Sequence, residues 1–456
     1  MQKYLNKIIG FIKGNNTHER TQRVKKNILF TALLKAINIG IGYVLMPLTL
    51  HYLSKDTYGL WLTLSSVIAW FNVFDIGLSN GLRNKIAEAL ANNDTVLIKK
   101  LVSTTYAIIT LVALGIMAIG LIMVYSFNWV SWLNVSTISL QELQQVMAVM
   151  CVFFSIQFVL KVVLSVVLAY QLSFVNNLIN TLINIATLCI VVALGAMGKA
   201  QLLNYAFGIS MSAMAVYGVA TIYLYSHPLH AALPNWRSVN WALAPNLFQL
   251  SVKFFVIQVA AIVIFSTDNF LINHFFSSAK VVEYNVVFKY YNLITVGFFM
   301  ISSPLLTAYT EAYNKNDMQW INSTYIRLLR AFVIGIAITI IMTLYASYVY
   351  DFWLRKQLVI HYTLNIYMAI YVLINVWILI HYSLISGVSK IQLGTYSAVV
   401  QCVINIPVAY VLCVYFNFDA TGVILANIIV LLPDAILSKI QYHKIVNNTA
   451  TGIWNK

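Results

Sequence analysis

Runs of about 20 apolar residues follow one another along this chain, at 28–50, 59–79, 101–126, 145–170, 175–197, 203–226, 247–275, 284–309, 326–350, 363–388, 391–415 and 420–442. A helix rises 1.5 Å per residue, so each run matches the thickness of a bilayer's hydrocarbon core. In hydrocarbon, every backbone N–H and C=O must be satisfied within the segment, which leaves the helix as the form such runs take. Composition agrees: 61% of the residues are hydrophobic, 9% are charged, and mean hydropathy is +0.80. Soluble domains carry about a quarter charged residues. The chain is therefore read as an all-α polytopic membrane protein with about 12 transmembrane helices.

A net charge of +15 raises the question of nucleic acid. The basic residues sit at the ends of the apolar runs, where topology signals belong. They form no basic domain, zinc-ligand pattern or single-strand-binding module, so no nucleic-acid partner is expected. Counted by loop, nineteen Lys and Arg fall on the side of both termini and five on the other, which places both termini in the cytoplasm. Cys151, Cys189, Cys402 and Cys413 lie unpaired in apolar runs and read as small core residues, without disulfide or metal. Lys3, Lys7 and Lys13 oppose Leu5, Ile8, Ile9 and Ile12, as in a short helix lying on an anionic membrane surface. A basic tail that only sets topology explains them equally well.

The chain repeats itself. Glu-Ala-x-x-x-Asn-Asp occurs at Glu88–Asp94 and again at Glu311–Asp317, an offset of 223 residues. Six spans on either side of a Pro-containing linker make two parallel six-helix halves with pseudo-twofold symmetry, an arrangement common in secondary transporters. The expected divisions are a basic cytoplasmic segment at 1–27, an N-terminal bundle at 28–226, a linker at 227–246, a C-terminal bundle at 247–442 and a cytoplasmic tail at 443–456. His227 and His230 in the linker lack any Cys, Asp or Glu beside them, so no metal site is read there.

Four lysines, Lys35, Lys161, Lys253 and Lys289, interrupt the apolar runs. A charge at such depth costs about 3 kcal/mol on insertion scales and marks a cavity, a partner or a substrate pathway. Lys35, Lys161 and Lys253 lie roughly 10–13 Å from the cytoplasmic ends of their spans, whereas Lys289 lies about 8 Å from the opposite face. Snorkelling to the nearer surface is the competing explanation for each. Together they point to an anion handled inside the membrane. Acids are embedded too: Asp75, Asp268 and Asp434, with Glu311 at a span end, are candidates for ion coupling or gating. Asp75 and Glu311 are equally well explained as helix-end caps near water. No P-loop occurs, so no ATP site of the chain's own is expected. No outer loop is long enough for a glycan polymerase or glycosyltransferase domain, and no repeated selectivity-filter segment indicates a channel.

One stretch is specific. Leu53-Ser54-Lys55-Asp56-Thr57-Tyr58-Gly59-Leu60-Trp61 opens the second span and Asp75-Ile76-Gly77-Leu78-Ser79-Asn80-Gly81-Leu82-Arg83-Asn84 closes it, followed by Ala87-Glu88-Ala89. Thr267-Asp268-Asn269-Phe270-Leu271-Ile272 leads to Val282-Glu283-Tyr284 in the second half. These segments resemble the polysaccharide transporter family, the Wzx-type O-antigen and repeat-unit flippases of the multidrug/oligosaccharidyl-lipid/polysaccharide exporter superfamily. The resemblance implies a multi-pass protein of the bacterial inner membrane. Such a protein is no enzyme and carries no cofactor. It moves undecaprenyl-pyrophosphate-linked oligosaccharide to the outer leaflet by alternating access, coupled to H+ or Na+. Its partners would be that glycan, membrane lipids and other glycan-assembly membrane proteins. On this reading Lys35, Lys161, Lys253 and Lys289 bind the pyrophosphate, Asp75, Asp268, Glu311 and Asp434 couple or gate, and Arg83 stands at the cytoplasmic entrance. A multidrug or other small-molecule exporter of the same superfamily, or a membrane glycan polymerase, is the alternative.

Overall fold

The computed structural model describes residues 17–71, 78–133, 135, 137–170, 172–198, 201–227, 229–245 and 267–455. Among the described residues, nine helices are long and apolar enough to cross a membrane. They are Leu33–Tyr52, Thr95–Ser126, Leu140–Ala169, Phe174–Ala196, Leu202–Ser226, Met318–Trp353, Tyr362–Gly387, Gln392–Tyr415 and Thr421–Val446. The remaining three expected spans are the second, whose described part lies mainly in the helix Lys55–Trp70, the seventh, helical over 267–275, and the eighth, inside the helix Ser278–Asn314. The sequence brings the fourth and fifth spans almost end to end. They are nonetheless separate helices, Val162–Ala169 closing one and Ser173–Ala196 forming the next. The protein is an all-helical, multi-pass membrane protein.

Its outer faces are apolar. Leu111, Leu114, Ile119 and Ile122 of the helix Thr95–Ser126 are exposed, as are Val333, Ile334, Ile341 and Leu344 of the helix Met318–Trp353. In water such surface would drive aggregation; against lipid chains it carries no such penalty. Hydroxyl groups inside the helices satisfy themselves by bonding the preceding turn, as Ser155 does to the Cys151 carbonyl and Thr339 to the Gly335 carbonyl.

The chain divides into two compact units. The first holds the described residues of Met1–Ser54, Ile68–Trp132 and Ser136–Gln258. Its core gathers Leu82, Ile86, Ile109, Phe154, Val163, Val166 and Leu224. Asn184 donates to Asn38 Oδ1 at 2.9 Å, and Thr49 bonds the Tyr205 hydroxyl at 3.1 Å, polar links of the kind that join helices in lipid. The described residues of the expected linker make three short turns here, His230–Ala232, Trp236–Ser238 and Trp241–Leu243. The Asn235 and Asn240 amides each donate at 2.9 Å to the hydroxyls of Ser103 and Thr104.

The second unit holds the described residues of Lys55–Val67, Leu133–Val135 and Val259–Lys456. The helix Tyr362–Gly387 packs between Ser278–Asn314 and Thr421–Val446. Tyr309, Ile321, Val376, Ile380, Leu384 and Tyr442 fill the space around it. Gly59 permits a close approach in this unit: a Cβ there would lie 1.7 Å from the Ser278 carbonyl oxygen.

The sequence repeat is a structural one. After the helix Leu78–Ala91, Asn93 turns left-handed at φ 56°, and after the helix Ser278–Asn314, Asn316 does the same at φ 56°. In the first copy the Asn93 amide donates to Leu90 O and the Asp94 amide to Ala89 O. In the second, the Asn316 amide donates to Tyr313 O and the Asp317 amide to Ala312 O. This is the Schellman arrangement, and Asn tolerates the left-handed residue it needs. Each Asp then caps the following helix, Asp94 accepting from the Leu97 amide at 2.8 Å and Asp317 from the Trp320 amide at 2.9 Å.

Candidate functional site

The described acid and amide side chains of the seventh span, Asp268, Asn269 and Asn273, all lie in the second unit. Thr267 and Asp268, both buried, lie in the described helical stretch 267–275. Asp268 Oδ2 accepts from the Tyr284 hydroxyl at 2.5 Å and from Asn427 Nδ2 at 2.8 Å. Asn427 Oδ1 in turn accepts from Asn405 Nδ2 at 2.6 Å. Four helices therefore supply one chain of buried polar groups. Among the described residues, Asp268 Oδ1 and Asn405 Oδ1 have no partner. A buried carboxylate oxygen that accepts nothing is costly and is a position where a proton or a small cation would be stabilised. Beside it, Asn269 donates to Ser66 Oγ at 2.7 Å and accepts from Asn285 Nδ2 at 2.7 Å. One turn on, Asn273 donates to Leu133 O and accepts from the Ser278 hydroxyl, each at 2.6 Å. Among the described residues no cluster of three His, Cys, Asp or Glu side chains is built to hold a metal.

Asp434 and Glu311 sit apart from that chain. Asp434, buried next to Pro433, accepts from the Tyr382 hydroxyl at 3.4 Å. Gly394 makes room for that tyrosine, since a Cβ there would lie 2.0 Å from its hydroxyl. Glu311 is exposed and ion-paired with Lys315 one turn on, an interaction that holds its carboxyl below the usual glutamate range. Asp75 lies outside the described residues.

Lys161 falls in the first unit, where the fourth span changes geometry. The helix Leu140–Leu160 ends at this residue and Val162–Ala169 begins after it. Its ammonium stands 5.9 Å from the Phe154 ring and 5.9 Å from the Tyr217 ring, and among the described residues it meets no carboxylate. Lys35 is half-buried on the first helix and Lys289 is half-buried on the helix Ser278–Asn314. Arg83 is exposed. Lys253 lies outside the described residues.

Two groupings escaped the sequence reading. His381 is fully buried, with Nδ1 at 2.7 Å from the Trp377 carbonyl and Nε2 at 3.0 Å from the Tyr325 hydroxyl. The carbonyl can only accept, so Nδ1 carries the hydrogen and Nε2 accepts from Tyr325. The second is a charge network at the start of the helix Ser278–Asn314. Glu283 is bonded by Lys55 at 2.7 Å and Lys280 at 3.2 Å, and Lys280 also meets Asp419 at 2.8 Å. Burial opposes charge on Lys280, but Asp419 and Glu283 outweigh it and hold the amine above its ordinary 10.5. Burial likewise works against the Asp419 carboxylate, and Lys280 outweighs that, holding it below 3.8.

No protein-family model and no curated protein matches the sequence. Solved structures do match. One is the inward-facing conformation of a multidrug resistance transporter of the MATE family in the MOP superfamily, at a TM-score of 0.73 and 12% identity over 91% of this chain and 96% of that one. Another is an outward-facing conformation of such a transporter, at 0.63 and 13% identity over 96% of this chain and 98% of that one. A MATE structure in complex with MaD3S matches at 0.63 and 12% identity over 93% of this chain and 96% of that one. At such identities the likeness is one of architecture, and over nearly its whole length this chain has the fold of the MATE transporters.

Proposed function

We propose that the protein is a membrane exporter working by alternating access, and that its cargo is an anionic amphiphile, for which undecaprenyl-pyrophosphate-linked oligosaccharide is the fullest fit. The MATE fold supports the transport part of this reading. Lys161 carries the cargo part. An embedded cation without a counter-ion costs about 3 kcal/mol, and ring faces return about 1–2 kcal/mol of that. The shortfall is what an anionic group on the cargo would recover. Lysine suits a site that must bind and release, because its ammonium is a mobile point charge without fixed bidentate geometry. Lys35, Lys253 and Lys289 share this role, and Arg83 serves the entrance. Asp268, with one carboxylate oxygen unpartnered among the described residues, is the first choice for the H+ or Na+ that couples transport. Asp434, Asp75 and Glu311 follow it.

The test is complementation of surface-glycan display in cells lacking their own repeat-unit flippase. Lys161→Ala is expected to abolish display while membrane insertion persists, Lys161→Arg to keep part of it, and Lys161→Glu to be worse than alanine. Full display from Lys161→Ala refutes the cargo assignment. A second reading, export of small drug-like molecules, has more direct support from the comparisons, because the neighbours are themselves described as multidrug resistance transporters. Efflux of a cationic dye from cells expressing the protein, without glycan display, favours that reading.

A further inference from the structure

The last helix, Thr421–Val446, carries a feature that neither cargo reading uses. A cavity of about 640 Å³ opens along its C-terminal half. Leu432, Ile436 and Ile440 form an aliphatic stripe along it, spaced a turn apart and exposed. Lys439, His443 and Lys444 line its C-terminal part, beside Ile440. From Leu432 to Lys444 the helix rises about 18 Å, apolar first and then basic. The lining holds no carboxylate. The Lys439 ammonium lies 5.6 Å from the Trp377 ring and that of Lys444 lies 4.2 Å from the Trp454 ring, and neither meets an acid among the described residues. Basic residues in a last helical turn can be explained as complements of the helix dipole, whose effect fades beyond that turn. Lys439 is seven residues before the end of this helix, so the dipole does not account for it.

We infer that this groove binds an anionic phospholipid, with an acyl chain along Leu432, Ile436 and Ile440 and the phosphodiester between Lys439, His443 and Lys444. The chemistry on both sides is complementary. An exposed aliphatic stripe on a membrane-spanning helix faces hydrocarbon, and a cluster of cations at its end faces the headgroup layer. Basic pockets on the cytoplasmic side of membrane helices bind anionic headgroups for this reason. The Lys and Arg tally assigns this end of the helix to the cytoplasmic side. A soluble phosphate would use the cations and leave the aliphatic stripe unexplained.

The test uses the full-length chain, purified and offered phosphatidylglycerol and phosphatidylcholine of matched acyl chains, with retained lipid read by native mass spectrometry. Two cations at the usual strength for basic residues at an anionic leaflet give a preference of roughly 30-fold for phosphatidylglycerol. Lys439→Ala or Lys444→Ala alone lowers it about fivefold, and the double variant brings the two lipids level. Lys100→Ala, on an exposed face of the first unit, leaves it unchanged. Ile436→Trp, which fills the aliphatic end, lowers retention of phosphatidylglycerol with the cations intact. Equal retention of the two lipids by the unaltered chain overturns the inference. So does a preference that survives the double variant, or displacement of phosphatidylglycerol by an equal concentration of inorganic phosphate.

Discussion

Glu283 depends on two cations at once, and that dependence can be measured. Its side chain is 8% exposed, Lys55 and Lys280 stand at 2.7 and 3.2 Å, and those lysines are 32% and 24% exposed. Removing one lysine leaves the other in place. Lys55→Ala and Lys280→Ala are therefore each expected to cost about 1 kcal/mol, near the upper end for partly exposed pairs. Removing both strands a buried carboxylate, the situation that costs about 3–5 kcal/mol. The double variant should thus exceed the sum of the singles by roughly 1–3 kcal/mol. Adding Glu283→Gln to the double variant removes the stranded charge and should recover most of that excess. Asp419→Ala, at a side chain 45% exposed, should cost under about 1 kcal/mol. The assay is thermal unfolding in detergent, followed through the ten tryptophans. The pH dependence has a definite sign. Asp419 is held below 3.8, so its contribution is complete above that value and disappears as pH falls through the depressed one. Lys280 is held above 10.5, so its contribution is complete below that value and disappears as pH climbs through the raised one. Between those limits these two groups leave stability flat. Additive single-site effects, or a triple variant no better than the double, would refute the argument.

Three further outcomes follow from the geometry. Asp268→Leu leaves the Tyr284 hydroxyl and the Asn427 amide without their acceptor and should cost about 2–4 kcal/mol, whereas Asp268→Asn should fold and insert yet lose at least tenfold in transport; transport at the unaltered level from Asp268→Asn removes this residue from the coupling mechanism. Gly59→Ala would place a Cβ 1.7 Å from a backbone oxygen and should abolish accumulation of folded protein, while Gly40→Ala, with nothing within 4 Å of its Cβ, should leave melting unchanged or slightly raised. Asn316→Ala forces alanine into the left-handed region and should cost about 1 kcal/mol, Asp317→Ala a further ~1 kcal/mol for the lost cap, and the matching changes at Asn93 and Asp94 should add to these without coupling, as melting of the combined variants would reveal.

The sequence made the membrane-spanning architecture legible because a bilayer imposes a length on every apolar run, and twelve runs of that length leave little else to build. The repeat was legible for a different reason: a left-handed Asn followed by a capping Asp is a local device, encoded within seven residues. The polar chain around Asp268 was only half legible. Tyr284 stands near enough in sequence to be noticed, but Asn427 and Asn405 come from helices more than a hundred residues away and look like ordinary polar interruptions. The charge network stayed hidden because Lys55, Lys280, Glu283 and Asp419 each lie near a helix end, where a charge is unremarkable when read alone. Lys161 shows the limit from the other side. Its depth could be counted, but the two rings that flank it belong to packing, which periodicity does not report.

The two Schellman turns also fix an angle. With φ 56° at both Asn residues and the capping Asp residues at φ −87° and −82°, the backbone leaves each turn in nearly the same orientation. The azimuth of the helix that follows is then set by a handful of residues before it has met any neighbour. Counting from Asp94 and Asp317, the fourth residues are Ile98 and Ile321, the seventh Leu101 and Thr324, the eighth Val102 and Tyr325, and the eleventh Thr105 and Leu328. All eight are buried. The turn works as a protractor: it aims the inward face of one helix in each unit, so that side chains as unlike as Val102 and Tyr325 are delivered to the same angular position.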